Sequence, residues 1–271
     1  MKKKNSKNIK GITLIEILIG IVVSSIMMGA MYATYSAVNS TYSQVTDRAK
    51  ISQSGRDVLG MMIRDVRMAG FKYFNDNIKS TNEHIPILIT KSGSAGKCCD
   101  QIDIVYGDVA YSNATPPVMD YSRYKITYSG KASTLLDKTT GKPIDAYAVF
   151  KSKRLWVPSS SSWETPQGNS KFYEDEKVVD YVVDLEFVPI DETGQRINPP
   201  PTATNANKDK IYKIKIVDII LTTRSTKPYF RSNITQIIYS LADSNRNVSK
   251  TDKYLRDSVI ISAHTRNLGL E

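Results

Sequence analysis

Between Ile12 and Thr46 the chain carries a single charged side chain, Glu16. The apolar heart of this stretch, Ile12 to Ala37, is long enough to cross a bilayer as a helix, for which roughly 20 residues suffice. Five lysines precede it (Lys2, Lys3, Lys4, Lys7 and Lys10), and no acid lies among the first eleven residues. By the positive-inside rule these lysines hold their end in the cytoplasm and leave the remainder outside. Glu16 lies near the cytoplasmic end, where a carboxylate is tolerated better than at the bilayer midplane.

A secretory signal peptide is the obvious competitor. It places its small-residue cleavage site after an apolar run of about 7–15 residues. Here the run is longer, and the sharp small-residue site, Gly11, comes before it. Cutting at Gly11 would release the lysines and keep the hydrophobic helix.

The formal net charge of +10 admits a nucleic-acid or anionic-membrane partner. Half of that excess belongs to the five leading lysines, however. The other 32 basic residues face 27 acidic ones over the rest of the chain, which reads as ordinary solvated surface. With 41% hydrophobic and 24% charged residues, the 271-residue chain has the composition of a folded protein. Its length suits one large domain or two small ones.

The segment Lys10-Gly11, Ile12, Thr13-Leu14-Ile15-Glu16 resembles the class III leader of type IV prepilins and pseudopilins. Ile12 stands where Phe is usual in that family. The resemblance implies that residues 1–11 are a leader. A membrane prepilin peptidase would cut between Gly11 and Ile12 and methylate the new amine of Ile12. It also implies that Glu16 pairs with the N-terminal amine of a neighbouring subunit during assembly. The physics supports that role, since a carboxylate in hydrocarbon is costly unless neutralised, and a partner's ammonium neutralises it.

No proline occurs before Pro86, and a helical pattern runs on past Thr46. Ile51, Gly55, Val58, Leu59, Met62, Ile63, Val66 and Ala69 fall within an arc of about 140°, with Gln53, Arg56, Asp57, Arg64 and Arg67 opposite. The spacing predicts a one-sided helix over 46–70 that packs its stripe on a domain, with Gly70 as its stop. Ser54 to Phe71 resembles the helix end of PilW-type minor pilins, through Gly55-Arg56, Arg64-Asp65, Arg67, Ala69-Gly70 and Phe71. The J-type pseudopilins of type II secretion carry a similar end.

After Phe71 the pattern changes to period two. Strands are expected over 101–108, 123–129, 145–151, 153–158, 177–190, 211–224 and 257–262. Polar, Pro- and Gly-bearing connections separate them at 112–120, 158–171 and 191–210. One long helix followed by many strands means α+β, with the sheet packed on the helix stripe. Val178–Asp191 and the C-terminal stretch ending in Arg266-Asn267 resemble the heads of PilW-type pilins. The resemblance spans residues 10–71 and 178–267 and is absent over 72–177. It implies the lollipop-shaped pilin fold: a transmembrane and filament-core helix over 12–45, and a head with an antiparallel sheet over 46–271.

Cys98 and Cys99 are neighbours and show no metal spacing. Across a trans peptide their Cα atoms would be about 3.8 Å apart, below the usual disulfide span of about 4.4–6.8 Å. In an exported domain a vicinal disulfide, two free thiols and a bond to a partner chain all stay open. No nucleotide, protease or hydrolase motif is present. His84 and His264, the only histidines, read as surface or packed residues. Asp100, Asp103 and Asp108 are spaced too loosely for an EF-hand. Asp191-Glu192, at a glycine-bearing turn, reads as a solvated pair of turn acids. No catalytic residue, metal or cofactor is expected. The sixteen tyrosines read as strand residues.

The resemblance implies a minor pilin that helps initiate, or sits at the tip of, a type IV pilus. Its partners would be other major and minor pilins, the prepilin peptidase and an inner-membrane assembly platform. It would sit in a bacterial inner membrane by a single pass, head outside, and in the extracellular pilus. The competing readings are a J-type pseudopilin of type II secretion, a DNA-capturing head, and an extracytoplasmic enzyme on a signal anchor.

Overall fold

The computed structural model of the chain describes residues 11–72, 84–92, 98–137 and 141–268. Apart from Gly11, the expected leader lies outside the described residues. The chain divides into two compact units, Met1–Asp47 and Arg48–Glu271.

One helix, α1, runs over Leu14–Met68. In its first half every side chain from Leu14 to Tyr42 is exposed, including Leu14, Leu18, Ile21, Ile26 and Met31. Among the described residues, α1 alone is long and apolar enough to cross a membrane. Three hydroxyls there donate to their own helix. Ser25, Thr34 and Thr41 bond the carbonyls of Ile21, Ala30 and Ala37 at 2.8–2.9 Å. These three donors are thereby met within the helix, where lipid offers no partner.

In the second unit, α1 buries Ile51, Gly55, Val58, Leu59, Met62 and Val66, most of the stripe expected from its periodicity. Asp65, which the apolar stripe did not count, is buried among them. The helix stops at Met68, and Gly70 follows in the left-handed region at φ 70°. A Cβ there would meet Leu268 at 2.9 Å, so glycine is required both for the turn and for the close approach.

The strands are β1 (Ile87–Thr90), β2 (Gln101–Tyr111), β3 (Met119–Ala132), β4 (Tyr147–Val157), β5 (Ser162–Glu164), β6 (Tyr173–Asp191), β7 (Ile214–Arg224), β8 (Ile234–Ile238), β9 (Val248–Asp252) and β10 (Arg256–His264). Among the described residues, β1-β2-β3-β4-β6-β7-β10 form one antiparallel sheet with β5 beside β4, and β8–β9 form a separate hairpin. The fold is therefore α+β, a long apolar helix followed by an antiparallel sheet. The two strands expected over 145–151 and 153–158 are one, β4. The strand expected from Ile211 begins at Ile214, because a helical turn over Lys208–Tyr212 precedes it. Part of the connection expected over 158–171 is β5, and Met119–Asp120, expected in a connection, open β3. The strands β1, β8 and β9 were not expected.

The core lies between one sheet face and the α1 stripe. Ile102, Ile104, Ile126, Tyr128, Val149, Leu185, Phe187, Ile219 and Leu221 meet Val58, Leu59, Met62 and Val66. Truncating Leu59 or Met62, both fully buried, costs about 2–5 kcal/mol. Set into this layer is a charged group. Tyr128 Oη donates to Asp65 Oδ2 at 2.6 Å, and Lys151 Nζ lies 2.7 Å from the same oxygen. Burial, reinforced by the Asp65 charge, pushes the Tyr128 phenol far above its ordinary pKa.

The longest strand changes partners along its length. The first half of β6, up to Val182, pairs with β4, while Val182 onward pairs with β7. At the changeover Tyr181 adopts φ 60°, an uncommon conformation for a bulky residue. Beyond that point the edge of β6 that β4 has left is satisfied without a strand. The Asp100 amide donates to the Leu185 carbonyl at 2.8 Å, and the Phe187 amide donates to Asp100 Oδ2 at 3.0 Å. Lys91 Nζ donates to the Phe187 carbonyl at 2.8 Å.

Candidate functional site

The N-terminal site is assembled by helix-start chemistry. Gly11, Ile12 and Thr13 precede the helix. Thr13 is its N-cap: the Glu16 amide donates to Thr13 Oγ1 at 3.4 Å, while the Thr13 amide donates to Glu16 Oε2 at 2.8 Å. Thr13 Oγ1 also donates to Glu16 Oε2, at 2.9 Å. This is a capping box, S/T-x-x-E, which satisfies orphan amides at both ends of the box. The same four residues, Thr13-Leu14-Ile15-Glu16, carried the leader resemblance, and their capping geometry was a signal left unread in the sequence.

The arrangement has a chemical consequence. In the single chain both bonds fall on one carboxylate oxygen, Glu16 Oε2. A carboxylate offers about four lone-pair sites, so acceptor capacity remains for a further donor. Ile12, one residue before the cap, is 78% exposed. Its bond to Gly11 therefore lies in an accessible stretch directly before a helix.

The other residues singled out in the sequence fall into separate places. Cys98 and Cys99 are joined to each other in a disulfide across a cis peptide bond, their Cα atoms 3.1 Å apart. They pack at the margin of the core, where Cys99 occupies the space a Cβ on Gly130 would fill. Asp191 accepts from the amides of Thr193 and Gln195 at 2.8 and 2.9 Å. The Thr193 hydroxyl, which also donates to it, is the chief cause of its lowered pKa. Glu192 forms a long ion pair with Lys213 at 3.9 Å. His264 is exposed at the end of β10, and His84 is buried edge-on against Trp156 and Trp163. Among the described residues, no group of His, Cys, Asp or Glu is placed to hold a metal.

Sequence reasoning set Asp100 aside, and the structure makes it a hub. Arg246, from the loop between β8 and β9, donates to Asp100 and, at 2.8 Å, to Asp184. Lys91 pairs with Asp100 at 2.9 Å and Glu186 at 3.4 Å. Glu186 in turn accepts from the Ser240 hydroxyl and the Leu241 amide at 2.7 and 3.0 Å. Burial pushes the Asp184 carboxyl up, with Arg246 opposing it. This buried network pins the β8–β9 segment to β6. Its members share no local pattern, since Asp100 and Arg246 lie 146 residues apart.

The pilin-like helix end and the pilin-like C-terminal stretch also meet. Asn267 Nδ2 donates to the Arg67 carbonyl at 3.0 Å, capping the end of α1, and Leu268 covers Gly70.

Residues 6–32 match the family described as the prokaryotic N-terminal methylation motif. Among solved structures, the chain is similar to a type IV-like pilin from Thermus thermophilus. The identity is 11%, the match covers 80% of this chain and 96% of that one, and the TM-score is 0.46. No curated protein matches the chain. The chain thus carries the N-terminal methylation motif of prokaryotic prepilin-like proteins, joined to an apolar helix fit for membrane anchoring. Motif and helix together support a pilin-type protein.

Proposed function

We propose that this chain is a minor pilin of a type IV pilus, contributing to assembly initiation or to the pilus tip. A prepilin peptidase removes residues 1–11 and methylates the freed amine of Ile12. The protein waits in the bacterial inner membrane with its N-terminus cytoplasmic and its head outside. It then enters the filament through the assembly platform, beside other major and minor pilins. Its role is structural and not enzymatic.

The observation that carries this reading is the Thr13–Glu16 capping box at the start of a helix whose apolar side chains are exposed all round. An apolar face of that extent requires lipid or other helices around it. A carboxylate held at its start, with one oxygen unengaged by the cap, is placed to take up a neighbour's ammonium. Neutralisation offsets the cost of the buried charge and sets the register between helices. The test is Gly11→Ala. This variant should accumulate as the unprocessed precursor; normal maturation would refute the peptidase step.

A further inference from the structure

The sheet face opposite α1 carries a groove of about 340 Å³ over β2, β3, β4 and the start of β6. Alternation along the strands puts polar side chains here, while Ile102, Ile104, Ile126 and Tyr128 face the core. Its charged lining balances: three cations, Lys125, Lys131 and Arg154, stand against three carboxylates, Asp103, Glu174 and Asp175. Lys131 pairs with Asp175 and Arg154 with Glu174. Asp103 accepts from Thr127 at 2.7 Å and Gln101 at 3.2 Å, both on Oδ1, which leaves Oδ2 available. Among the described residues, neither Lys125 Nζ nor Ser129 Oγ has a hydrogen-bond partner.

An aromatic pair adjoins the groove through Lys125. Trp156 and Trp163 pair across β4 and β5 with ring centroids 5.2 Å apart, propped by His84. Lys125, which lines the groove, lies 5.4 Å from the Trp163 ring, and Arg123 lies 5.8 Å from the Tyr121 ring. Both tryptophans are partly exposed.

We propose that this groove binds a neutral oligosaccharide. A polyanion gains little from a lining of zero net charge with three carboxylates in it. A polyhydroxylated ligand needs donors and acceptors side by side, and Lys125 Nζ, Ser129 Oγ and Asp103 Oδ2 supply them. Tryptophan beside such a set offers an apolar surface to one face of a sugar ring. The site lies in the head and does not depend on how the N-terminal helix is used.

Trp156 and Trp163 are the only tryptophans in the chain, so fluorescence excited selectively at tryptophan reports on this pair alone. The full-length protein in detergent micelles is titrated with cellohexaose, chitohexaose and maltohexaose up to about 10 mM, enough to saturate a site of roughly 1 mM. Calorimetry on the same samples detects binding that leaves the fluorescence unchanged. At least one hexasaccharide should bind saturably, with an affinity unchanged between about 50 and about 200 mM salt. Asp103→Asn and Ser129→Ala, each with an unaltered circular dichroism spectrum, should weaken it about tenfold. The proposal is overturned if none of the three binds, if both variants bind as the parent does, or if single-stranded oligothymidylate binds in preference with an affinity that falls as salt rises.

Discussion

Thr13 and Glu16 cap each other at the first turn of α1, the Thr13 amide and hydroxyl both reaching Glu16 Oε2, at 2.8 and 2.9 Å. The acid inside the apolar segment therefore has a local duty as well as the one proposed between subunits. The two duties separate by mutation. Gln at the third helical position still serves a capping box but carries no charge. Glu16→Gln should mature normally and keep its helix start, yet enter filaments poorly. Wild-type filament incorporation by this variant would show that the charge is not used.

Thr13→Ala removes the cap and leaves the charge. An N-cap loss of about 1 kcal/mol is expected, confined to the first turn. Hydrogen exchange in micelles should show faster exchange at the amides of residues 14–17 and no change in the head. Protection equal to the parent's would mean that the cap contributes nothing there.

Asp65 ties the helix to the sheet through Tyr128 and Lys151. Asp65→Ala leaves the Lys151 ammonium buried without its counter-charge, and breaking such a pair from one side costs about 3–5 kcal/mol. Urea unfolding followed by tryptophan fluorescence should show a loss of that size. The double variant Asp65→Ala/Lys151→Met should recover part of it, because no charge is then stranded. Failure of the second change to recover any stability would argue against a charge effect.

Much of the fold was legible in the sequence, because a 3.6-residue apolar stripe and two-residue alternation survive any detail of packing. Asp65 escaped that reading because a charged side chain is not counted in an apolar stripe, and its partners come from distant strands. β1 is four residues long and β5 three, too short for alternation to register. The network around Asp100 has no sequence signature, since it replaces strand pairing at the edge that β6 presents beyond Val182. The N-terminal motif was legible by contrast, because its residues are contiguous, although the cap that Thr13 and Glu16 form went unread.

Asp252 and Arg256 form a bidentate pair between β9 and β10. Burial raises the Asp252 carboxyl, but the Arg256 hydrogen bonds, the Tyr254 amide and the charges of Arg256 and Arg224 together outweigh it, and the net pKa is lowered. A lowered folded-state pKa stabilises above the unfolded value of about 3.9 and loses that contribution as pH falls through the folded value. Asp252→Asn should therefore be less stable than the parent at neutral pH, and the gap should close below about pH 4. Thermal unfolding at a series of pH values checks this; a gap that stays constant into acid would contradict it.

The most direct measurement is the intact mass of the protein extracted from membranes of cells that carry the pilus machinery. A single species beginning at Ile12 and heavier by one methyl group is expected. A chain that still begins at Met1, or one trimmed beyond the apolar helix, would contradict the assignment.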